Sequence, residues 1–300
     1  MTAELKSVRI GINPITWSND DMPELGGDTS LETCLDEARR AGYDGLELGN
    51  KFPRDSEALK PIMARHGLSV VSGWYSARLR ERSADAEIQA MQSHLTLLKA
   101  MGCGVMVFAE TSGSVAGDRA MALSKRPILS EAEWQPFVSR LNQVAGYLAS
   151  QGVIMAFHHH MGTVIETPGE IDRMMAATGP SVRLLLDTGH LTYAGGDPLA
   201  TARRHIRRIS HVHCKDVRPS VLDRVRRRDS SFMDAVVDGV FTVPGDGAVD
   251  YPGLMPILAG AGYRGWLVVE AEQDPGKAHP FTYAQMGCAY LKRIAGAAGL

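Results

Sequence analysis

The chain predicts an α/β protein, a single (β/α)8 barrel of the TIM type, on three observations. Eight short apolar runs alternate with eight amphipathic stretches along its length, the rhythm of strands each returned by a helix. Four of the later runs end in histidine or carboxylate residues, as strands do when their carboxyl ends build a site on one face of a barrel. No GxGxxG follows the first strand and no GxxxxGK[ST] occurs, so neither nucleotide-binding motif supports an open doubly wound sheet.

Taken in order, residues 8–13 (VRIGIN) read as the first strand, and 31–41 (LETCLDEARRA) as a helix entered through Thr29 and Ser30 and stopped at Gly42. Residues 45–48 (GLEL) form the second strand, followed by a helix over 56–66 that ends at Gly67. The third strand covers 68–72. One long helix is expected over 84–101, with Ile88, Met91, Leu95 and Leu98 at helical spacing before Gly102. The fourth strand is 104–109, and the Gly/Ser-rich loop 110–127 is long enough to suggest a functional role. A helix over 130–150 opens with SEAE, a capping-box pattern.

The second half keeps the rhythm. Residues 153–160 (VIMAFHHH) read as a buried fifth strand that runs into three histidines. Helix 168–177, strand 182–187, helix 198–206 and strand 209–214 follow. Residues 217–251 are expected to form an irregular arm carrying RVRRRDSSF and the turn PGDG. Helix 252–260, strand 266–271 and helix 281–295 close the pattern, and no composition break marks a linker, so residues 1–300 are expected to form one domain.

Composition narrows the function. A 300-residue chain with 44% hydrophobic and 22% charged residues can bury a sizeable core. Its formal charge of −2 gives no basic field to concentrate nucleic acid. The Arg224 to Asp229 run is the one basic hint, and it reads as a solvated arm or a subunit contact, which leaves a homo-oligomer open. Cys34, Cys103, Cys214 and Cys288 lie far apart without CxxC spacing, and the N-terminus has no apolar signal core. Both features point to a cytoplasmic protein with reduced thiols. No apolar run approaches the roughly 20 residues that cross a bilayer, so no membrane partner is expected.

Strand ends converge in a barrel, which changes the weight of the histidines. A lone histidine on an apolar strand is ordinarily a satisfied structural residue. His158, Asp187, His213 and Glu270, at the ends of four strands, together suit a divalent transition metal such as manganese, cobalt or zinc. Alternation places His158 and His160 on one face of their strand and His159 on the other. It does not choose between His211 and His213, or between Glu270 and Glu272.

The motifs LLLDTGHL, HVHCKD, VPGDGAVDYPGL and GYRGWLVVEAEQDP resemble the xylose isomerase-like barrel superfamily. Within it, GINPITW, DGLELGNKFP, HHHMGT, VEAEQDP and FTYAQMGCAYL look like the inosose dehydratase family, over essentially the whole chain. The resemblance implies a hydro-lyase of myo-inositol catabolism, removing water from 2-keto-myo-inositol to give a trihydroxycyclohexanedione through an enediolate, with manganese or cobalt bound. It implies Asp187, His213 and Glu270 as metal ligands. Relatives carry a glutamate at the end of strand five, where this chain has His158; either His158 takes that place or His160 or Glu166 reaches in. His190, Lys215 and Glu270 form the implied pool for proton transfer. Lys215 and Arg218 are candidates to bind substrate oxygens, with His160 beside them. Glu47 and Glu110, at the ends of strands two and four, fall on the face suited to substrate and acid–base contacts. Trp17 and Trp74, at the mouths of strands one and three, are candidate walls against a sugar ring. The alternative is a keto-sugar isomerase or epimerase using the same metal and enediolate. A metal-dependent endonuclease would want more ligands and a basic groove, and a non-catalytic sugar-binding protein would have the pocket without the metal.

Overall fold

Eight parallel strands close on themselves in the computed structural model, which describes residues 5–300. The barrel strands are β1 (Val8–Ile12), β2 (Gly45–Leu48), β3 (Ser69–Ala77), β4 (Val105–Glu110), β5 (Ile154–His158), β6 (Val182–Asp187), β7 (Ile209–Cys214) and β10 (Gly265–Val269). Pairing runs in chain order, and β10 closes the ring between β7 and β1. Two further strands, β8 (Asp216–Val217) and β9 (Phe241–Thr242), form a separate antiparallel ribbon. The helices are α1 (Leu31–Ala41), α2 (Ser56–His66), α3 (Ala84–Ala90), α4 (Gln92–Ala100), α5 (Glu131–Ser150), α6 (Pro168–Ala177), α7 (Thr188–Tyr193), α8 (Pro198–His205), α9 (Pro219–Arg228), α10 (Phe232–Val237), α11 (Tyr251–Gly260) and α12 (Pro280–Ala297). No described helix is long and apolar enough to cross a membrane.

Local chemistry sets these boundaries. Ser30 caps α1 by accepting the Thr33 N–H, and Gly42 ends it in the left-handed conformation. The Glu133 carboxylate accepts the Ser130 N–H at 2.8 Å at the start of α5. Apolar residues of the sheet and of the helices facing it form the main core. Val107, Ala156 and Leu185 make a small cluster of their own on β4, β5 and β6. Ala156 and His158 share a face of β5. The polar strand ends therefore continue the line of that apolar cluster.

Three expectations change. The helix expected over 84–101 divides at Met91, because the Gln92 side-chain amide donates to the Ile88 carbonyl at 2.6 Å and takes the acceptor that an unbroken helix would use. The third strand does not stop at Ser72: its ladder with β4 runs on from Trp74 to Ala77, past Gly73. The arm expected to be irregular is ordered. Asp216 organises it with one buried carboxylate that accepts the backbone N–H groups of Val217, Gly245, Gly247 and Val249 at 2.8–3.1 Å. Gly247 is required there, since a Cβ would lie 2.3 Å from Asp216 Oδ1. Helices α9 and α10 then fold over the barrel mouth, where Phe232, Met233, Val236 and Phe241 form a second apolar cluster with Leu123, Met161 and Tyr193. The exposed arginines of α9 lie outside the barrel mouth, with Arg224 and Arg228 near Asp238.

Replacing Asp216 with alanine leaves four backbone donors of this arm without their acceptor. Urea denaturation should show a loss of about 3 kcal/mol, the cost of stripping a charged acceptor from buried amides. A loss below about 1 kcal/mol would show that the arm does not depend on it.

Candidate metal centre

Four strand ends meet at the mouth of the barrel. His158 ends β5, Asp187 ends β6, His213 is the penultimate residue of β7, and Glu270 directly follows β10. All four side chains are buried. His158 Nε2 lies 3.6 Å from Asp187 Oδ2, which lies 3.5 Å from His213 Nδ1; that nitrogen is 3.0 Å from Glu270 Oε2. Such spacings suit ligand atoms sharing one ion at about 2.1 Å. His158 Nε2 and Asp187 Oδ2 have no hydrogen-bond partner. Two buried acceptors left unmatched side by side are costly unless something else binds them.

The other atoms of these side chains are committed. His158 Nδ1 sits 2.6 Å from the His159 carbonyl, which leaves its Nε2 lone pair facing the cluster. Asp187 divides its carboxylate: Oδ1 accepts the His190 N–H at 2.7 Å and caps α7, while Oδ2 stays open. Burial pushes the Asp187 carboxyl up, but the Lys215 ammonium, with His158 and His213, holds it well below its ordinary range. Glu270 is likewise held low against its burial by His213 and Lys215.

A cation lies behind the two carboxylates of β10's extension. Lys215 Nζ is 2.9 Å from Glu270 Oε2, 3.5 Å from Glu272 Oε2 and 3.0 Å from His190 Nε2. Burial opposes its charge, yet Glu270, Asp187 and Glu272 raise its pKa above the usual range. Gly189 makes room for the stem, since a Cβ there would meet Lys215 Cγ at 2.5 Å. Burial pushes His190 well down, with His160 and Lys215 adding to it, so its imidazole is neutral near pH 7. Phe232 and Phe241 from the arm cover this imidazole, and Lys215 Nζ sits 4.7 Å over the Phe241 ring. The ligand atoms that all lie within 4.8 Å of one another belong to His158, Asp187, His190 and Glu270, while His213 groups with Glu47 and His211; His190 Nε2 faces the Lys215 ammonium at 3.0 Å, which disfavours it as a cation ligand, and His213 Nδ1 is the imidazole nitrogen beside Asp187 and Glu270.

In front of this cluster is a cavity of about 380 Å³ lined by Glu270, Glu272, Asn13, Trp74 and His160 among others. Trp74 packs edge-on against His158 and His160, with ring centroids 5.3 and 5.6 Å apart. Four residues expected to face substrate do not reach the cavity. Trp17 is buried in the core, its indole N–H satisfied by Glu37 at 2.6 Å. Glu47 is saturated by neighbouring side chains beneath His213. Glu110 accepts the N–H groups of Leu79 and Ser112 and fastens two loops. Arg218 turns into the arm, where it donates to the Gly239 and Phe241 carbonyls and to Asp246. Glu166, an alternative strand-five ligand, is directed to Arg126 at 3.1 Å and lines a separate groove. Glu272, which strand alternation left open as the alternative to Glu270, lines the cavity together with it. The residues missed from sequence, Asn13 and the two phenylalanines, carried no such signal.

A model of the xylose isomerase-like TIM barrel family matches residues 35–294. The chain belongs to that family. Among its curated relatives, the rhizopine catabolism protein MocC of Rhizobium meliloti is 56% identical over 98% of this chain and 91% of its own. The inosose dehydratase of Geobacillus thermodenitrificans is 46% identical over 96% of this chain and 98% of its own; that of Klebsiella pneumoniae is 42% identical over 97% and 98%. Among solved structures, the IolI protein, described with a bound zinc atom, superposes with a TM-score of 0.67 at 16% identity, over 97% of this chain and 98% of that one. An L-ribulose 3-epimerase gives 0.68 at 17%, over 97% and 95%. These two establish the shared barrel.

Glu166 supplies a pH test of this end of the barrel. Burial pushes its carboxyl up to about 7, outweighing the Gly162 N–H and the Arg126 guanidinium. Between the unfolded carboxyl pKa and that value the folded state binds the extra proton, so this group's contribution is full at low pH and is lost as pH rises through 7. Urea denaturation across pH 5–8 should therefore show a flatter stability profile for Glu166→Gln than for the wild type.

Proposed function

We propose that this barrel is an inosose dehydratase, removing water from the cyclic ketone 2-keto-myo-inositol with a divalent metal held by His158, Asp187, His213 and Glu270. The observation that carries the metal reading is the buried pair of unpartnered acceptor atoms, His158 Nε2 and Asp187 Oδ2, beside the cavity. Relatives named inosose dehydratase, at 46% and 42% identity over nearly the whole chain, support the substrate. Manganese or cobalt suits a mixed set of imidazole and carboxylate donors. When bound, the ion supplies Lewis acidity at the ketone oxygen, which makes the adjacent C–H removable.

The chain's own groups handle the protons. Glu270 lines the cavity as a carboxylate and takes the proton alpha to the ketone. Lys215 hydrogen-bonds both Glu270 and Glu272, the two carboxyl groups on the cavity wall. The proton taken by Glu270 therefore has a bonded route through Lys215 to Glu272, and from there to the departing β-hydroxyl. Substrate loses H and OH as water, and the site returns to its starting protonation. Trp74 and His160 hold the ring from one side, and Phe232 and Phe241 keep water from the His190–Lys215 pair. An imidazole on β5, where a glutamate would give a second carboxylate opposite Glu270, supports elimination over epimerisation.

Purified protein given 2-keto-myo-inositol with manganese or cobalt should accumulate an ultraviolet-absorbing dione. No turnover with any divalent metal would sink the dehydratase reading. Lys215→Met should lower kcat about 100- to 10,000-fold, the range for losing a positioned proton carrier; a kcat within about tenfold of wild type would remove Lys215 from the proton route.

A further inference from the structure

Resting on that metal reading, we infer that Glu47 and Asn13 form a clamp that aims two of the four ligands, His213 and Glu270, at the ion. Glu47 is buried, does not line the cavity, and bonds one of the four ligands, His213. Its Oε1 accepts the Ser72 hydroxyl at 2.6 Å, His211 Nε2 at 2.9 Å and His213 Nε2 at 3.1 Å. Its Oε2 accepts the Asn13 amide at 2.8 Å. Four donors from β3, β7 and the turn after β1 thus fix one carboxylate, and a carboxylate so held cannot swing.

The consequence falls on His213. With Nε2–H donating to Glu47, the imidazole must turn Nδ1 to the opposite edge, where it donates to Glu270 at 3.0 Å with Asp187 3.5 Å away, and where, once that proton is lost, its lone pair would meet a bound cation. Asn13 repeats the device for the other ligand. Its Oδ1 accepts the Ile15 N–H at 2.9 Å, which fixes which end of the amide points inward. Its Nδ2 then donates to Glu47 Oε2 and, at 3.2 Å, to Glu270 Oε1, leaving Glu270 Oε2 on the cluster side. The bonds close a ring through Glu47, His213, Glu270 and Asn13. His211 buttresses it: the ring donates to Glu47 and keeps a buried Nδ1 without a partner. Glu47 and Asn13 are therefore positioning residues, acting through the ligands.

The test measures manganese and cobalt binding by the full-length protein, with thermal melting of the metal-free form and the visible spectrum of the Co(II) form. Glu47→Gln can accept with only one oxygen and offers N–H groups where histidine donors sit. It should weaken manganese binding about 10- to 100-fold, the usual cost of losing a group that orients a ligand, and alter the Co(II) spectrum. Asn13→Ala, which keeps the Glu47–His213 bond, should weaken binding less and in the same direction. If Glu47→Gln fails to fold, Asn13→Ala decides: weaker binding with a shifted spectrum supports the clamp, and wild-type values overturn it. A folded Glu47→Gln that binds manganese within about threefold of wild type and keeps its Co(II) spectrum overturns the clamp, even if its melting temperature falls. Wild-type protein that binds the metals without dehydrating 2-keto-myo-inositol removes the functional reading, and the clamp is judged on the affinities; wild-type protein that binds neither ion removes both.

Discussion

The buried Lys215 ammonium is the interaction on which the barrel mouth depends. Asp187, Glu270 and Glu272 are all withdrawn from water within reach of one another. Carboxylates in such a place either take up protons or find positive charge. Lys215 supplies that charge from β7's extension, its stem admitted by Gly189 and its head seated over Phe241. A divalent ion among His158, Asp187, His213 and Glu270 would complete the neutralisation.

The barrel suits this task because it collects side chains from strands far apart in sequence. Asn13 and Glu270 are separated by 257 positions yet share a hydrogen bond, as do Glu47 and His213 across 166. Asn13 and Glu270 extend the paired neighbours β1 and β10, whereas Glu47 on β2 reaches across the mouth to His213 on β7. The site's rigidity thus comes from the same closure that holds the sheet together. The arm between β8 and β9 adds what the barrel lacks, an apolar cover for groups that would otherwise meet water.

Asp187 and Glu47 show how a carboxylate's two oxygens can be given different work. In Asp187 one oxygen caps a helix and the other is left open. In Glu47 both are filled, so the group directs its neighbours and binds nothing new. Two residues of one chemical type, both buried at strand ends, therefore act oppositely because of the donors around them.

The sequence by itself determined the barrel, through eight alternating segments, and the set of strand ends that converge, through runs such as LLLDTGH and HVHCKD that pass directly from apolar to coordinating residues. Strand alternation is a local property, and it was enough to separate His159 from His158. Only the tertiary structure decided which strand-end residues face the cavity. Glu47, Glu110, Trp17 and Arg218 occupy the correct end of the barrel, but each is drawn away by partners distant in the chain. The arm was unreadable for a related reason: its helices owe their order to Asp216 and to packing against Leu123 and Met161. Periodicity tells which way a side chain leaves its strand, whereas its final partner depends on contacts that exist only once the barrel has closed.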